Sequence, residues 1–346
     1  MERVECMALL DSNPFAWLSV RELRAAPPPE VKFLWGSKDD GLLQERSFMM
    51  LHSAEKQGKS MFLLNLAVAG ARGDAEFLGI ALRPGGFRTL ILQCEVHMRA
   101  MYERFQTMLR HGDLTDEQAE NIHINGYRAV TLTNPVLFYL FRRKIREFKP
   151  DLVGIDPLAH MLTEDENSNV AVGRGLAPLL KLRDDPGAAI AVVHHDSKVS
   201  DGNQGRPAHQ RSRGANRLTA DPDSIVSLTP TKRCGGPTSK LSCKPRYGRE
   251  LAPFRVRLNE DTFWFERYSV EHEHGEALQV IIRKAGGRLP EASLIEAYEE
   301  MAGITDSQGR HRTASTRIQR AVGDGLIVKV ELQAGTFYAL PEKEES

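Results

Sequence analysis

The chain has 346 residues, 41% of them hydrophobic and 27% charged, and its 46 Lys and Arg are balanced by 46 Asp and Glu. That length allows roughly two or three domains, and the composition excludes disordered, collagen-like and rod-like chains. No apolar run reaches the roughly 18–20 residues of a membrane span. The first residues lack the basic start and apolar stretch of a secretory signal, and the four cysteines form no CxxC pair. The expectation is a cytoplasmic protein of a reducing compartment, without a membrane partner, a disulfide scaffold or a zinc ribbon.

Residues 1–40 read as a lead-in arm, with helical spacing over 18–25, a Pro27-Pro28-Pro29 break and an aromatic patch at Phe33-Leu34-Trp35 suited to packing on a neighbour. From 41 to 268, short apolar runs at 48–51, 89–92, 152–155 and 189–193 alternate with amphipathic stretches at 60–72, 98–111 and 136–148. Strands alternating with helices predict an α/β core, a mostly parallel central sheet with helices on both faces. Hairpin-like strands follow at 225–228, 240–243, 254–258 and 263–265. The tail, 275–341, reads as a separate unit: helices over 276–284, 291–301 and 314–323, then a hairpin of 326–332 with 336–340. That order is the order of a winged helix-turn-helix.

The chemistry starts at Gln57-Gly58-Lys59-Ser60, which follows a predicted strand and opens a predicted helix. A P-loop of this kind rings phosphates with backbone N–H groups and a helix N-terminus; Lys59 reaches phosphate oxygens and the Ser60 hydroxyl holds Mg²⁺. The full pattern has a glycine where this chain has Ser53, a departure that predicts a looser loop or weaker nucleotide binding. Asp156 closes the run at 152–155 and precedes Pro157, a position for a carboxylate that orders Mg²⁺ and also a common way to start a turn. Glu95 sits just past the run at 89–92, either polarising an attacking water or favoured by a helix start. His194-His195 end the run at 189–193, where a side chain can touch a terminal phosphate or be simply structural. Four strand ends presenting Lys and Ser, Glu, Asp and His together define a ligand site at the carboxyl edge of the sheet.

This ordered set, Gly58-Lys59-Ser60, Glu95, Ile155-Asp156-Pro157-Leu158, then His194-His195-Asp196-Ser197-Lys198 and Arg213-Gly214-Ala215, resembles the RepA-type hexameric helicase ATPases. These are plasmid and phage relatives of the DnaB motor built on the RecA core. The resemblance spans roughly residues 30–265 and includes Asp165-Glu166-Asn167. Lys244-Pro245-Arg246-Tyr247-Gly248 resembles the Lys-x-Arg-x-Gly hairpin that such motors insert into a neighbouring subunit's ATP site. The resemblance implies a RecA-like P-loop NTPase core, ATP and Mg²⁺ as ligands, and a homo-oligomer, expected as a hexameric ring. It implies that Gly58, Lys59 and Ser60 bind phosphate, Ser60 and Asp156 bind Mg²⁺, and Glu95 activates water. His195, ahead of His194, would sense the γ-phosphate, and Arg246 with Lys244, ahead of Arg213, would act in trans. The implied activity is that of a DNA helicase or translocase of plasmid, phage or mobile-element replication. The alternative is a DNA-binding regulator whose assembly ATP switches without unwinding.

Single-stranded DNA is the expected partner. Residues 198–257 carry 13 basic and 4 acidic side chains, and Arg206, Arg211, Arg213 and Arg217 lie in a Gly/Gln/Arg/Ser stretch suited either to phosphate contact or to a solvated surface. In the tail, Arg310, Arg312, Arg317 and Arg320 lie on or before the third helix, the recognition position of a helix-turn-helix, although such units also dock proteins.

Overall fold

The computed structural model describes residues 17, 19–25, 30–126, 131–161, 168–185, 187–196, 217–231, 238–268, 270–302 and 310–341. Strand and helix alternate through β1 (Phe48–Ser53), α1 (Lys59–Arg72), β2 (Thr89–Gln93), α2 (Met98–Leu109), β3 (Ile122–Asn125), α3 (Pro135–Phe148), β4 (Leu152–Asp156), α4 (Asn169–Asp184) and β5 (Ala189–His195). Four strands follow: β6 (Ser224–Thr231), β7 (Thr238–Pro245), β8 (Phe254–Leu258) and β9 (Phe265–Tyr268). All belong to one nine-stranded sheet in the order β9-β8-β7-β6-β1-β5-β4-β2-β3. The six strands from β6 to β3 in that order are parallel, and β7, β8 and β9 add antiparallel hairpins. The expected α/β class and mostly parallel sheet are what the chain forms.

Both sheet faces are buried, and the period of two sorts the side chains between them. Met49, Leu51, Ile91, Ala191 and Val193 join the cluster under α1, whereas Phe48, Met50, Leu90, Leu92, Ile190 and Val192 join the cluster with α3 and α4. The strands run past the apolar runs that mark them: β1 includes His52 and Ser53, β4 includes Asp156, and β5 includes His194 and His195. Ladder hydrogen bonds are made by backbone, so pairing continues where the side chains turn polar. That continuation places the chemical groups on the sheet's rim.

The aromatic patch expected in a lead-in arm is core instead. Strand Phe33–Trp35 pairs with Leu43–Gln44. Leu34 and Trp35 are fully buried, and the Trp35 ring meets Phe62 of α1 edge-on at 5.7 Å. A large indole gains more by covering α1 than by waiting for a neighbour, so the core begins upstream of residue 41.

The tail comprises α5 (Val270–Lys284), β10 (Arg288–Pro290), α6 (Glu291–Ala302), α7 (Arg310–Gly323), β11 (Val328–Leu332) and β12 (Gly335–Ala339). Its three strands form a sheet in the order β10-β12-β11. Leu278, Ile282, Leu294, Tyr298, Ile318, Ile327 and Tyr338 make a separate core there. Among the described residues no helix is long and apolar enough to cross a membrane.

Helix α1 is buried almost all round, and Gly70 is where it meets the loop before β2. A Cβ at Gly70 would lie 2.2–2.5 Å from the Phe87 ring. Alanine in a free helix gains about 1 kcal/mol over glycine, but overpacking a core costs about 1–3 kcal/mol. Gly70→Ala is therefore expected to be net destabilising, seen as a lower urea midpoint.

Candidate functional site

The loop between β1 and α1 is shaped by two residues in the left-handed region, Lys56 (φ 60°) and Gly58 (φ 78°). Gly58 precedes α1 without a side-chain cap, and a Cβ there would come to 3.0 Å from both Leu258 Cδ2 and Phe265 Cζ. Only glycine satisfies both the backbone angle and the crowding. The result is a helix N-terminus with uncapped N–H groups and no acidic residue in its first turn, an arrangement that suits phosphate.

Ser53 departs from the P-loop pattern without leaving a gap. It is fully buried and is not among the residues with positive φ, so its backbone makes no demand for glycine. Its hydroxyl donates to Ala54 O (2.9 Å) and accepts from Lys59 Nζ (3.2 Å). Lys59 Nζ also donates to Ser53 O (2.9 Å) and Ala54 O (2.8 Å). Burial lowers the Lys59 pKa, opposed by Asp196, Asp156, Glu95 and Glu55, in that order of strength.

Asp156 ends β4 beside this loop, before a cis peptide bond to Pro157. It accepts a hydrogen bond from the Gln93 amide (2.7 Å), and the Ser60 hydroxyl lies beside it. Burial pushes its pKa up and Glu95 adds to that, while Ser60, Gln93 and Lys59 pull it down. His195 is half-buried, and burial first, then Lys59, lowers its pKa, so its ring is neutral near pH 7. Its neighbour His194 is fully buried on the opposite side of β5.

Glu55, Gly58, Lys59, Ser60, Glu95, Asp156 and His195 line one cleft of about 590 Å³, walled on its apolar side by Leu258 and Phe263. The structure thus brings together every residue expected to bind phosphate or Mg²⁺, with Glu95 and His195. Among the described residues no group of three or more His, Cys, Asp or Glu could hold a metal by itself. A Ser60 hydroxyl beside one carboxylate, at a phosphate-binding helix, nevertheless fits Mg²⁺, which keeps waters and takes few protein ligands plus phosphate oxygens.

Lys244 and Arg246 are not in this cleft. Ser224 pairs with both Met49 and Pro245, whereas Leu228 pairs with Ser53, so the turn after β7 lies at the rim opposite the phosphate loop. Arg246 is tied there by its guanidinium to Ala220 O and by its N–H to Asp223 O (2.6 Å). Asp165, Glu166, Asn167, Arg206, Arg211 and Arg213 lie outside the described residues. Arg217 pairs with Asp221 at 3.3 Å. In the tail Arg317 donates to Tyr298 Oη (3.0 Å), so it braces α7 against α6 rather than presenting a free guanidinium; Arg320 is exposed. The side chains of Arg310 and Arg312 lie outside the described ones.

Three groups escaped the sequence reading. Arg104 lines the cleft from α2; its position beside the inward row Met101, Phe105, Met108 is the one signal that could have singled it out. Gln93, only 1% exposed, is a polar residue ending an apolar strand. Its amide donates to Asp156 Oδ2 (2.7 Å), and its carbonyl accepts from the N–H groups of Glu95 (2.9 Å) and Val96 (3.1 Å). One side chain thus fixes both acidic positions. The third is His52, inside β1.

The sheet order, the phosphate loop and the acidic groups on its rim define the class: a P-loop ATPase of RecA-like fold. More narrowly, the chain belongs to the AAA domain family, whose profile matches residues 11–201. Among solved structures it is similar to a KaiC-like protein from the hyperthermophilic archaeon Pyrococcus horikoshii OT3, with 13% identity, a TM-score of 0.50 and coverage of 69% of this chain and 100% of that one. It is also similar to a second solved structure, an ATPase domain, with 15% identity, a TM-score of 0.49 and coverage of 65% of this chain and 86% of that one. At such identities the likeness is one of fold. No curated protein matches the chain.

Replacing Gln93 by leucine keeps the bulk but leaves a buried carboxylate oxygen and two N–H groups without this partner. Gln93→Leu is expected to lower stability by about 1–3 kcal/mol, measured as a shift in urea midpoint at unchanged slope.

Proposed function

We propose that the protein is an ATP-hydrolysing, oligomeric DNA helicase or translocase of plasmid, phage or mobile-element replication, with its ATP sites between subunits. The observation that carries the hydrolysis is the convergence of Lys59, Ser60, Asp156, Glu95 and His195 in one cleft at the carboxyl rim of the sheet. Lys59 would leave the loop carbonyls for the β- and γ-phosphate oxygens, and the uncapped N–H groups of α1 would take the rest of the phosphate charge. Ser60 and Asp156 would hold Mg²⁺, which neutralises charge on the phosphate oxygens. Glu95 would accept a proton from water as the water oxygen bonds to the γ-phosphorus and the bond to the ADP oxygen breaks. A neutral His195 can donate a hydrogen bond to the terminal phosphate.

Among the described residues of one subunit, Arg104 is the guanidinium that lines the cleft. The trans role of Arg246 and Lys244 is supported by their place on the opposite rim, from which they cannot serve their own subunit's phosphate loop. A guanidinium supplied from a neighbour is worth about 10³–10⁵ in rate in P-loop NTPases, so turnover would need assembly, and a hexameric ring is the arrangement we favour.

DNA contact is supported by the charge of residues 198–257, with 13 basic and 4 acidic side chains. The tail, with its helix–strand–helix–helix–hairpin order, is in our reading a winged helix-turn-helix that contacts DNA or a protein.

The test is ATPase rate with and without single-stranded DNA, with solution mass recorded alongside. Wild type is expected to turn over as an oligomer and to be stimulated by DNA, less so as salt rises. Glu95→Gln and Lys59→Ala are each expected to lose at least about 10²-fold in kcat. ATP binding without turnover in wild type would favour the switch over the motor. Arg246→Ala and Lys59→Ala subunits, each inactive alone, are expected to regain partial turnover when mixed, because a mixed interface pairs an intact cleft with an intact Arg246. No recovery in mixed oligomers would overturn the trans assignment.

A further inference from the structure

Three side chains that the proposed hydrolysis does not use meet behind the phosphate loop. His52 Nδ1 lies 2.6 Å from Asp196 Oδ1, and His52 Nε2 lies 2.6 Å from Ser227 Oγ. They come from adjacent segments: His52 from β1, Asp196 from the residue after β5, and Ser227 from β6, where it pairs in register with His52. Carboxylate, imidazole and hydroxyl in this order also make nucleophilic triads. Here Ser227 is 2% exposed and His52 1%, so no substrate can reach the hydroxyl. The arrangement acts on its surroundings.

Those surroundings are the back of the nucleotide cleft. Asp196 is held a second time by its N–H, which donates to Ser53 O (2.9 Å). The same carbonyl takes Lys59 Nζ. The residue before Asp196 is His195, which faces the cleft. Asp196 is also the carboxylate that acts most strongly on the Lys59 ammonium. A single residue, Asp196, therefore joins the start of the phosphate loop to the end of β5, its N–H on Ser53 O and its carboxylate held by His52.

We propose that His52 is a positioning residue for ATP hydrolysis: by holding the Asp196 carboxylate it fixes His195 and the Ser53 carbonyl in the geometry that turnover needs. The inference rests on the ATPase reading above. Its physical basis is that buried polar chains are strong when complete and costly when cut. Without the imidazole, the Asp196 carboxylate must turn toward water or toward Lys59, and either movement pulls on both cleft walls. Displacements of about 1 Å far from the chemistry can cost about 10²-fold in rate.

The experiment uses the whole chain and compares wild type with His52→Asn, His52→Leu and Asp196→Asn. It records kcat and KM for ATP and the thermal midpoint of each. Asparagine keeps an amide N–H near the place of Nδ1, whereas leucine keeps the bulk and no donor. His52→Leu and Asp196→Asn are expected to lose at least about tenfold in kcat with KM changed less than about threefold, the pattern of an effect on the transition state rather than on binding. His52→Asn is expected to regain most of the lost turnover. Equal kcat in all folded variants, with only the thermal midpoint moving, would overturn the inference and leave His52 a packing residue. If His52→Leu does not fold, His52→Asn and Asp196→Asn decide it, and wild-type turnover in Asp196→Asn overturns it. A wild type without turnover would overturn the ATPase reading itself, a result distinct from variants that match an active wild type.

Discussion

The buried Lys59 ammonium is the constraint around which the site is organised. A charged group withdrawn from water must be supplied with acceptors and opposite charge. Here the acceptors are two carbonyls and a hydroxyl at the end of β1, and the charge comes from four carboxylates on or beside the neighbouring strand ends. None of these groups is near Lys59 in sequence except the loop's own. Parallel pairing in register, Ser53 with His195 and Gln93 with Asp156, brings them to the same rim. The mostly parallel sheet is thus what makes one cation and several anions share a small volume, and its two buried faces make the register costly to change.

Much of this was legible in the sequence, for physical reasons. Short apolar runs with helical stretches between them mark strands buried on both faces, and polar residues placed just past those runs mark the rim. Lys59, Ser60, Glu95, Asp156 and His195 were readable because each sits at such a junction. Gln93 and His52 were not, because a polar residue inside a strand gives no sign of whether it meets a partner or water. Their side-chain partners lie 63 residues away for Gln93 and 144 and 175 residues away for His52. Trp35 was misplaced for the opposite reason: an aromatic cluster beside a proline break looks like an arm, and only the packing of α1 shows that it is roof. Arg317 was readable as part of a basic helix face but not as the partner of Tyr298.

Charge is distributed with a similar logic at larger scale. A chain that is neutral in total concentrates its basic excess in residues 198–257, with 13 basic and 4 acidic side chains. The Lys244–Arg246 turn belongs to that stretch and lies at the rim opposite the phosphate loop, anchored through Arg249 N–H to Asp39 O (2.7 Å).

The apolar wall of the cleft carries a last consequence. Leu258 and Phe265 crowd Gly58, and buried Asn65 of α1 donates to Phe263 O (3.0 Å) and accepts from Phe265 N–H (2.7 Å). The family match ends at residue 201, yet the phosphate loop is shaped by side chains made some sixty residues later. During synthesis the residues of the phosphate-loop motif emerge before the apolar wall beside them does. A nascent or truncated chain ending near 201 would own the motif without Leu258, Phe263 and Phe265, the side chains that wall the cleft and crowd its glycine.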